Sequence, residues 1–505
     1  MSTTSESESD ALLKPKSTRS QHDVRWLALL VLGLGLLVGV VDSTVVNVTT
    51  PAMQDQFGAT DSQMVLLVTV YGMVFASFLL LFGKIGHVVG LRRLQSLGVG
   101  LFGLSSIAIG LAPSVQFATG MRIFAGIAAA MIGATGLALL HNIFTGKDRF
   151  LAFGLWGAIA SLGIAIGPTL GGLAVTYFTW RLAFFINVPI CVFIIIGCYL
   201  WIDEVRHGHK EKIDYIGAAI IGVGIFTILL GLVFGREWGW WAARTNLNIL
   251  GISPTPWLLV LGIILIFIVF PRWLRRQEAR GNEPIFDLRL LAVGSYRNGM
   301  LAAFARQIAQ FIPNYALALY LERTAGWQAS MAGRAFIMSS IGTLIAAPLS
   351  GWLAKRWGTK PIVILGTIIM SASILWLLLI VNVNVQLAML RLPIFLFGIS
   401  IGLAASQLNT VIMADVPLHR AGDASSSKSA ISRVGDAFGA ALVGVFLALS
   451  LDYIMLVCFF FAVIAMLLAF GLPNIKGGGG LDRSPSRGAV EGPSSHLPAS
   501  TRHRS

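Results

Sequence analysis

Two residues with ionisable chemistry stand where an apolar chain would ordinarily exclude them: Asp42, inside the run Trp26 to Val48, and Arg122, inside Val115 to Leu140. At about 1.5 Å per helical residue, Asp42 lies about 24 Å along its helix from one face and Arg122 about 10 Å from the other. The two therefore fall at similar depth. A carboxylate in that setting costs several kcal/mol unless it is protonated, paired or wet, which suits Asp42 to carrying a proton beside a cavity. The alternative is a structural carboxylate pinned by neighbours such as Asn47. A guanidinium cannot shed its charge, so Arg122 needs a carboxylate, backbone carbonyls or water, and depth alone pairs it with Asp42.

A second polar stripe follows in the later part of the chain. Arg306 falls about 15 Å into its run, with Gln307, Gln310 and Asn314 continuing along it, and Gln407 and Asn409 lie within another run. With Asn47, the residues Arg306, Gln310, Asn314, Gln407 and Asn409 are the expected lining of a substrate cavity. No acid as deep as Asp42 is expected here, since Glu322 is placed near the outer boundary and Asp415 and Asp436 near the inner one. Gly163, Gly167 and Gly171 recur every four residues and form a smooth ridge for close helix approach. Pro168 removes a backbone donor and is expected to bend the same helix. His87 and His141 fall at inner boundaries, as solvated loop residues. The chain has no GxxxxGK[ST] phosphate loop, no HExxH and no CxxC, so an enzyme is not expected, nor any cofactor or metal beyond a coupling proton.

The elements that must position these groups follow from composition. Of 505 residues, 56% are hydrophobic and 12% charged, with a mean hydropathy of +0.78, too few polar groups to solvate several soluble domains. Apolar runs recur fourteen times between Trp26 and Leu472, each too long for a membrane strand, so helices are expected. The net charge of +14 does not signal nucleic acid, because the cations gather in alternate loops. Lys84, Arg92 and Arg93, then Lys147 and Arg149, then the run Arg272 to Arg297, then Lys355, Arg356 and Lys360 all fall on one side. That asymmetry places both termini in the cytoplasm. Cys191, Cys198 and Cys458 sit in apolar runs as packing residues. No small-residue cleavage site follows the first run, which is expected to remain as an anchor.

Gly83 to Gly90 after the second run and Gly351 to Gly358 after the tenth both place glycines seven apart in a short basic loop. The echo suggests two related halves, 25–203 and 296–472, with residues 204–295 as a linker carrying two extra helices. Residues 1–24 and 473–505 are expected to be disordered cytoplasmic ends.

The segment Val41 to Pro51, VDSTVVNVTTP, resembles the first-helix motif of the fourteen-span drug:proton antiporters of the major facilitator superfamily. Arg122 to Gly126 is similar to that superfamily's Arg-xxx-Gly motif, and Gly163 to Gly172, GIAIGPTLGG, resembles its antiporter motif. Trp180 to Pro189, Arg420 to Ser425 and Arg433 to Gly435 match in the expected order. The resemblance implies an all-α polytopic membrane protein of two six-helix bundles plus two inserted central helices. It implies proton coupling at Asp42 and Arg122, and a hinge and seal between bundles at Gly163, Gly167, Pro168, Gly171 and Gly172. It also implies a cytoplasmic gate loop of Gly83, His87, Gly90 and Arg92. In that loop His87 stands where the family has Asp, Val88 where it has Arg, and Lys355 takes the acid's place in the second copy.

These readings converge on proton-coupled export of small amphipathic compounds from the cell membrane, with the lipid bilayer, small molecules and protons as partners. No accessory export protein can be named from the sequence. Two alternatives are a dedicated exporter of an anionic or zwitterionic metabolite or lipid, and a receptor that kept the fold without transport. For topology, single cysteines at Lys210 and Arg276 are expected to react with impermeant maleimide only from the cytoplasm, and one at Thr245 only from outside. Cytoplasmic labelling at Thr245 would break the fourteen-run arrangement.

Overall fold

The computed structural model describes residues 18–205, 214–244, 251–280, 286, 288–323, 325–327, 329–381, 385–416, 421–446 and 450–475. The two expected disordered ends fall largely outside these residues, as does Thr245. Among the described residues the chain is helical, apart from loops and one isolated bridge between Ala242 and Ile252. The helices are α1 (Thr18–Phe57), α2 (Asp61–Val89), α3 (Leu91–Gly110), α4 (Val115–Ile143), α5 (Gly146–Tyr177), α6 (Leu182–Phe185), α7 (Asn187–Trp201) and α8 (Tyr215–Trp238). They continue with α9 (Pro254–Ile264), α10 (Phe270–Ala279), α11 (Gly294–Arg323), α12 (Ala329–Trp357), α13 (Thr359–Ile380), α14 (Leu387–Ala414), α15 (Ala421–Phe446) and α16 (Leu451–Phe470). A π-helical turn, Leu265–Val269, joins α9 to α10.

Local chemistry sets several of the starts. Thr60 and Gln63 form a reciprocal capping box at α2, and Ser114, Asp214 and Ser450 accept from backbone N–H groups at the first turns of α4, α8 and α16. Ten helical segments are long and apolar enough to cross a membrane. Helices α3, α5, α11 and α15 also form where runs are expected and are not among those ten; each is at least 20 residues long.

Helix packing repeats across the chain. As α2 packs on α4, α12 packs on α14; as α3 packs on α4, α13 packs on α14; and α1 meets α5 as α11 meets α15. The halves meet reciprocally, through α2 with α15 and α5 with α12. The repeat extends to single hydrogen bonds. Gly90 ends α2 at φ +110, after which Leu91 N–H donates to Val205 O at 3.2 Å and Arg92 N–H to Glu204 Oε1 at 3.1 Å. Gly358 follows α12 at φ +91, after which Thr359 N–H donates to Ile475 O at 3.0 Å and Lys360 N–H to Asn474 Oδ1 at 3.3 Å. A left-handed glycine is required at both turns, since a Cβ there would run into the Glu204 or Asn474 side chain.

The apolar interior distinguishes the two ends of the molecule. Toward the basic loops, Met300, Ala302 and Ala303 of α11, Ile412 and Met413 of α14 and Ala424 and Ala430 of α15 join one core with the first half. Farther along, Ile308, Ile312 and Leu317 of α11 belong to a core confined to the second half. The halves are thus merged at the basic-loop side and separate above it. Helix α8 lies beside this junction, against both α2 and α15, and α9 packs closely on α8 through Gly224 and Gly262.

Tight helix pairs depend on small residues. A Cβ on Gly398 of α14 would fall on the Ser339 carbonyl oxygen of α12, whereas one on Gly120 of α4 would meet nothing within 4 Å. Gly398→Ala is expected to destabilise the purified protein by about 1–3 kcal/mol, and Gly120→Ala to leave the unfolding temperature unchanged or raised. Equal unfolding temperatures for the two variants would show that the seam between α12 and α14 is not close-packed.

Candidate functional site

Asp42 and Arg122 meet. Both side chains are 1% exposed, and Arg122 Nη1 donates to Asp42 Oδ2. Arg122 Nε reaches the Leu67 carbonyl at 3.4 Å, and its guanidinium lies 4.5 Å from the Tyr71 ring centroid. The Tyr71 hydroxyl donates to Gly39 O at 3.2 Å, three residues before Asp42, so α1, α2 and α4 close on one buried ionic centre. Asp42 Oδ1 has no hydrogen-bond partner among the described residues. The Asn47 side chain lies outside the described residues, so its part in this centre is not defined.

Glycines bring the three helices close enough. A Cβ on Gly126 would stand 2.7 Å from the Tyr71 carbonyl oxygen, and one on Gly133 would stand 3.1 Å from the Phe75 ring. Gly126 is one helical turn from Arg122, so the close approach to α2 is what seats the guanidinium on Tyr71. The Arg122 to Gly126 pair is one packing device.

The glycine ridge of α5 takes a different place from the one the resemblance implies. Gly167 approaches Thr44, and a Cβ there would stand 3.1 Å from Val41 O; Gly163 faces Val40 and Gly171 faces Val45 and Val48, all on α1 of the same half. The contact to the second half uses the opposite face of α5, where a Cβ on Gly154 would stand 2.7 Å from Ala347 O. Nine residues separate Gly154 from Gly163, about 900° of helical rotation or half a turn, so one helix presents small faces both ways. Gly172 faces open space, and α5 continues through Pro168, whose ring lies outside the described side chains.

The gate loop is tied within the first half. Glu204, just after α7, accepts from Arg92 N–H and lies 3.8 Å from Arg92 and 3.5 Å from Arg93. Arg92 Nη1 donates to Ile202 O at 3.2 Å. Gly83 is buried, and the His87 side chain is outside the described set. Glu204 is the residue the sequence reading missed: it follows the sixth run and bears on the loop only through the fold.

The cavity residues divide. Arg306 donates to Gln310 and, at 2.7 Å, to Gln307, and Asn314 donates to Gln310 O at 2.9 Å. Gln407 is fully buried and donates to Ser350 at 2.9 Å, joining α14 to α12; Asn409 is also buried. Gln407 is therefore a tie between helices of one half, because close packing on α12 leaves it no cavity face. His141 corrects its expectation too: it is 2% exposed and bonded to Arg149, which also donates to Met413 O at 3.1 Å across the two halves.

Asp436 is the largest departure. It was expected near an inner boundary because the apolar run begins at Ala437, but α15 begins at Ala421, so Asp436 stands about 22 Å along the helix. The preceding stretch, with Ser425, Ser427, Lys428 and Ser432, is too polar to register as a span yet is held between α2 and α11. Gln307 Nε2 donates to Asp436 at 2.7 Å, Arg433 lies 3.4 Å away, and the Arg433 guanidinium lies 5.0 Å from the Phe75 ring of α2. The second half has a deep acid after all. The i,i+3 spacing of Arg433 and Asp436 was the available signal.

Reciprocal helix halves enclosing buried charge are the architecture of a polytopic membrane transporter. The chain matches the Major Facilitator Superfamily over residues 32–286 and 299–500, and it belongs to that family. It is 30% identical to the multidrug resistance protein Stp of Mycobacterium tuberculosis over 84% of this chain and 76% of that one. It is 27% identical to the riboflavin transporter RibZ of Clostridioides difficile (85% and 90%) and 26% identical to the multidrug efflux pump LfrA of Mycolicibacterium smegmatis (85% and 82%). The fold matches that of the human organic anion transporter MFSD10 with a TM-score of 0.65 at 13% identity, covering 88% of this chain and 99% of that one.

A buried pair implies a defined energetic signature. Arg122→Gln strands a carboxylate and is expected to destabilise the protein by about 3–5 kcal/mol, whereas Asp42→Asn combined with Arg122→Gln should recover most of that loss. Additive losses in thermal unfolding would mean that the two charges are not energetically coupled.

Proposed function

We propose that this chain is a proton-coupled exporter of small amphipathic compounds, of the fourteen-span type, working by alternating access in the cell membrane. In this reading residues 25–203 and 296–472 are the moving bundles, 204–295 carries two extra spans, and both termini face the cytoplasm. The observation that carries it is the Asp42–Arg122 pair, sealed from water with one carboxylate oxygen unpaired. A proton bound by Asp42 removes the charge that Arg122 neutralises and leaves the guanidinium with a carbonyl and a ring face. The arrangement of α1, α2 and α4 that suits the ionised pair therefore differs in energy from the one that suits the protonated acid, which is the differential a coupling ion needs.

Export as the direction is supported by the printed names of relatives, among them multidrug resistance protein Stp and multidrug efflux pump LfrA. The cycle follows. With the halves merged at the basic-loop side and separate above, a proton arriving from outside reaches Asp42 and favours release of substrate; its loss toward the cytoplasm restores the pair and permits rebinding. A narrower substrate range, toward anionic or zwitterionic compounds, is the second reading, supported by the cations around Asp436. The receptor reading draws on His87 and Lys355 standing where the family has its acid, and the retained Asp42–Arg122 pair speaks against it.

Asp42→Asn preserves size and removes the titrating proton. In inside-out vesicles, a pH gradient should then drive no dye movement, while equilibrium dye binding stays within about twofold of the unmodified protein. Full gradient-driven movement in that variant would place the coupling proton elsewhere.

A further inference from the structure

The ionic cluster of the second half is unbalanced. Arg306 of α11 and Lys428 and Arg433 of α15 lie within electrostatic range of one another and of one carboxylate, Asp436. Among the described residues these are the charged groups that act on Asp436; α2 adds the Phe75 ring, and α4, α8, α14 and α16 add none. Three cations against one anion contrast with the one-to-one match at Asp42 and Arg122.

Arg306 is the least compensated. It is 5% exposed, its terminal nitrogens donate only to the neutral amides of Gln307 and Gln310, and its Nε has no partner. A buried cation held only by amides is costly unless an anion completes its surroundings. Asp436 accepts from Gln307 on one oxygen and from Arg433 on the other, and among the described hydrogen bonds none reaches it from Arg306.

The cluster is also reachable. The Asp436 and Arg433 side chains are 22% and 39% exposed. On α11 the shared core ends at Ala303 and the second-half core begins by Ile308; on α15 Val434 packs on the former and Phe438 on the latter. Arg306 and Asp436 therefore sit where the shared core gives way to the core of the second half. Phe304 and Phe438, with ring centroids 6.2 Å apart, add an apolar wall beside them.

We propose that Arg306 forms an anion-binding subsite that takes the carboxylate of an amphipathic organic acid or zwitterion, with the aromatic body against Phe304 and Phe438. Asp436, joined to Arg306 through the Gln307 amide, is the internal competitor for its charge. The proposal rests on the reading of the chain as an exporter, but it concerns equilibrium binding and requires no proton gradient.

The test uses the purified full-length protein in detergent and two probes with the same body, a rhodamine bearing a free carboxylate and its methyl ester. Fluorescence anisotropy without a gradient is expected to give tighter binding of the acid. Arg306→Gln should weaken the acid by about tenfold, the value of a charge-assisted hydrogen bond, and the ester by less than about twofold. Asp436→Asn, by removing the competitor, should tighten the acid and leave the ester unchanged. This gain distinguishes a ligand site from a structural ion cluster, whose disruption would weaken both probes together. Equal binding of acid and ester, binding of neither, or an Asp436→Asn variant that loses both would overturn the proposal. Loss of gradient-driven movement in Asp42→Asn with this binding pattern intact would separate the subsite from the coupling reaction.

Discussion

The arrangement of the first half turns on one constraint: Asp42 and Arg122 are buried where an unpaired charge is costly, and each compensates the other. The requirement reaches outward through packing. Arg122 is seated on Tyr71 because Gly126 lets α4 touch the α2 backbone, and Asp42 is held in register because the Gly163, Gly167 and Gly171 ridge lets α5 lie against α1. Long side chains at any of these glycines would move a helix by more than a hydrogen bond tolerates. The small residues are thus the means by which an apolar bundle keeps an ion pair assembled.

The second half repeats the scaffold and alters the chemistry. Its turns reproduce those of the first down to the hydrogen bonds after Gly90 and Gly358, yet Glu204 in one copy is Asn474 in the other. A carboxylate belongs where Arg92 and Arg93 stand, and an amide suffices where it caps the backbone of Lys360. Likewise the neutral pair on α1 and α4 has no counterpart on α11 and α14; charge moves instead to α11 and α15, where cations outnumber acids. Repetition fixes helix placement, and departures from it mark where the halves perform different tasks.

Helix class, the repeated turn and the meeting of Asp42 with Arg122 are legible in the sequence because each rests on a local property: run length, loop composition or rise per residue. The reading failed where a polar stretch is buried by its partners. Asp436 was placed at a boundary because α15 begins with serines, a lysine and an arginine, and their burial against α2 and α11 has no signature in hydropathy. His141 looked like a loop residue for the same reason, although Arg149 and the end of α14 enclose it. The α5 ridge was correctly a close-approach surface, but a spacing of four says that a helix is near and not which one. Glu204 could not be assigned to the α2–α3 loop without the fold.

The two seams between the halves differ in kind, and the difference bears on where α8 and α9 lie. Where α5 meets α12, backbone approaches backbone at Gly154 and Ala347, a contact that needs no polar side chain. Where α2 meets α15, the contact is long and charged, with Arg433 over Phe75 and Asp436 and Lys428 close by. A charged seam open to hydrocarbon would cost several kcal/mol per unscreened group, whereas a glycine seam would cost little. Helix α8 packs against both α2 and α15, where a Cβ on Gly222 would stand 2.9 Å from the Ser77 carbonyl oxygen, and α9 packs closely behind it. Helices α8 and α9 therefore stand beside the seam whose chemistry most needs separation from lipid.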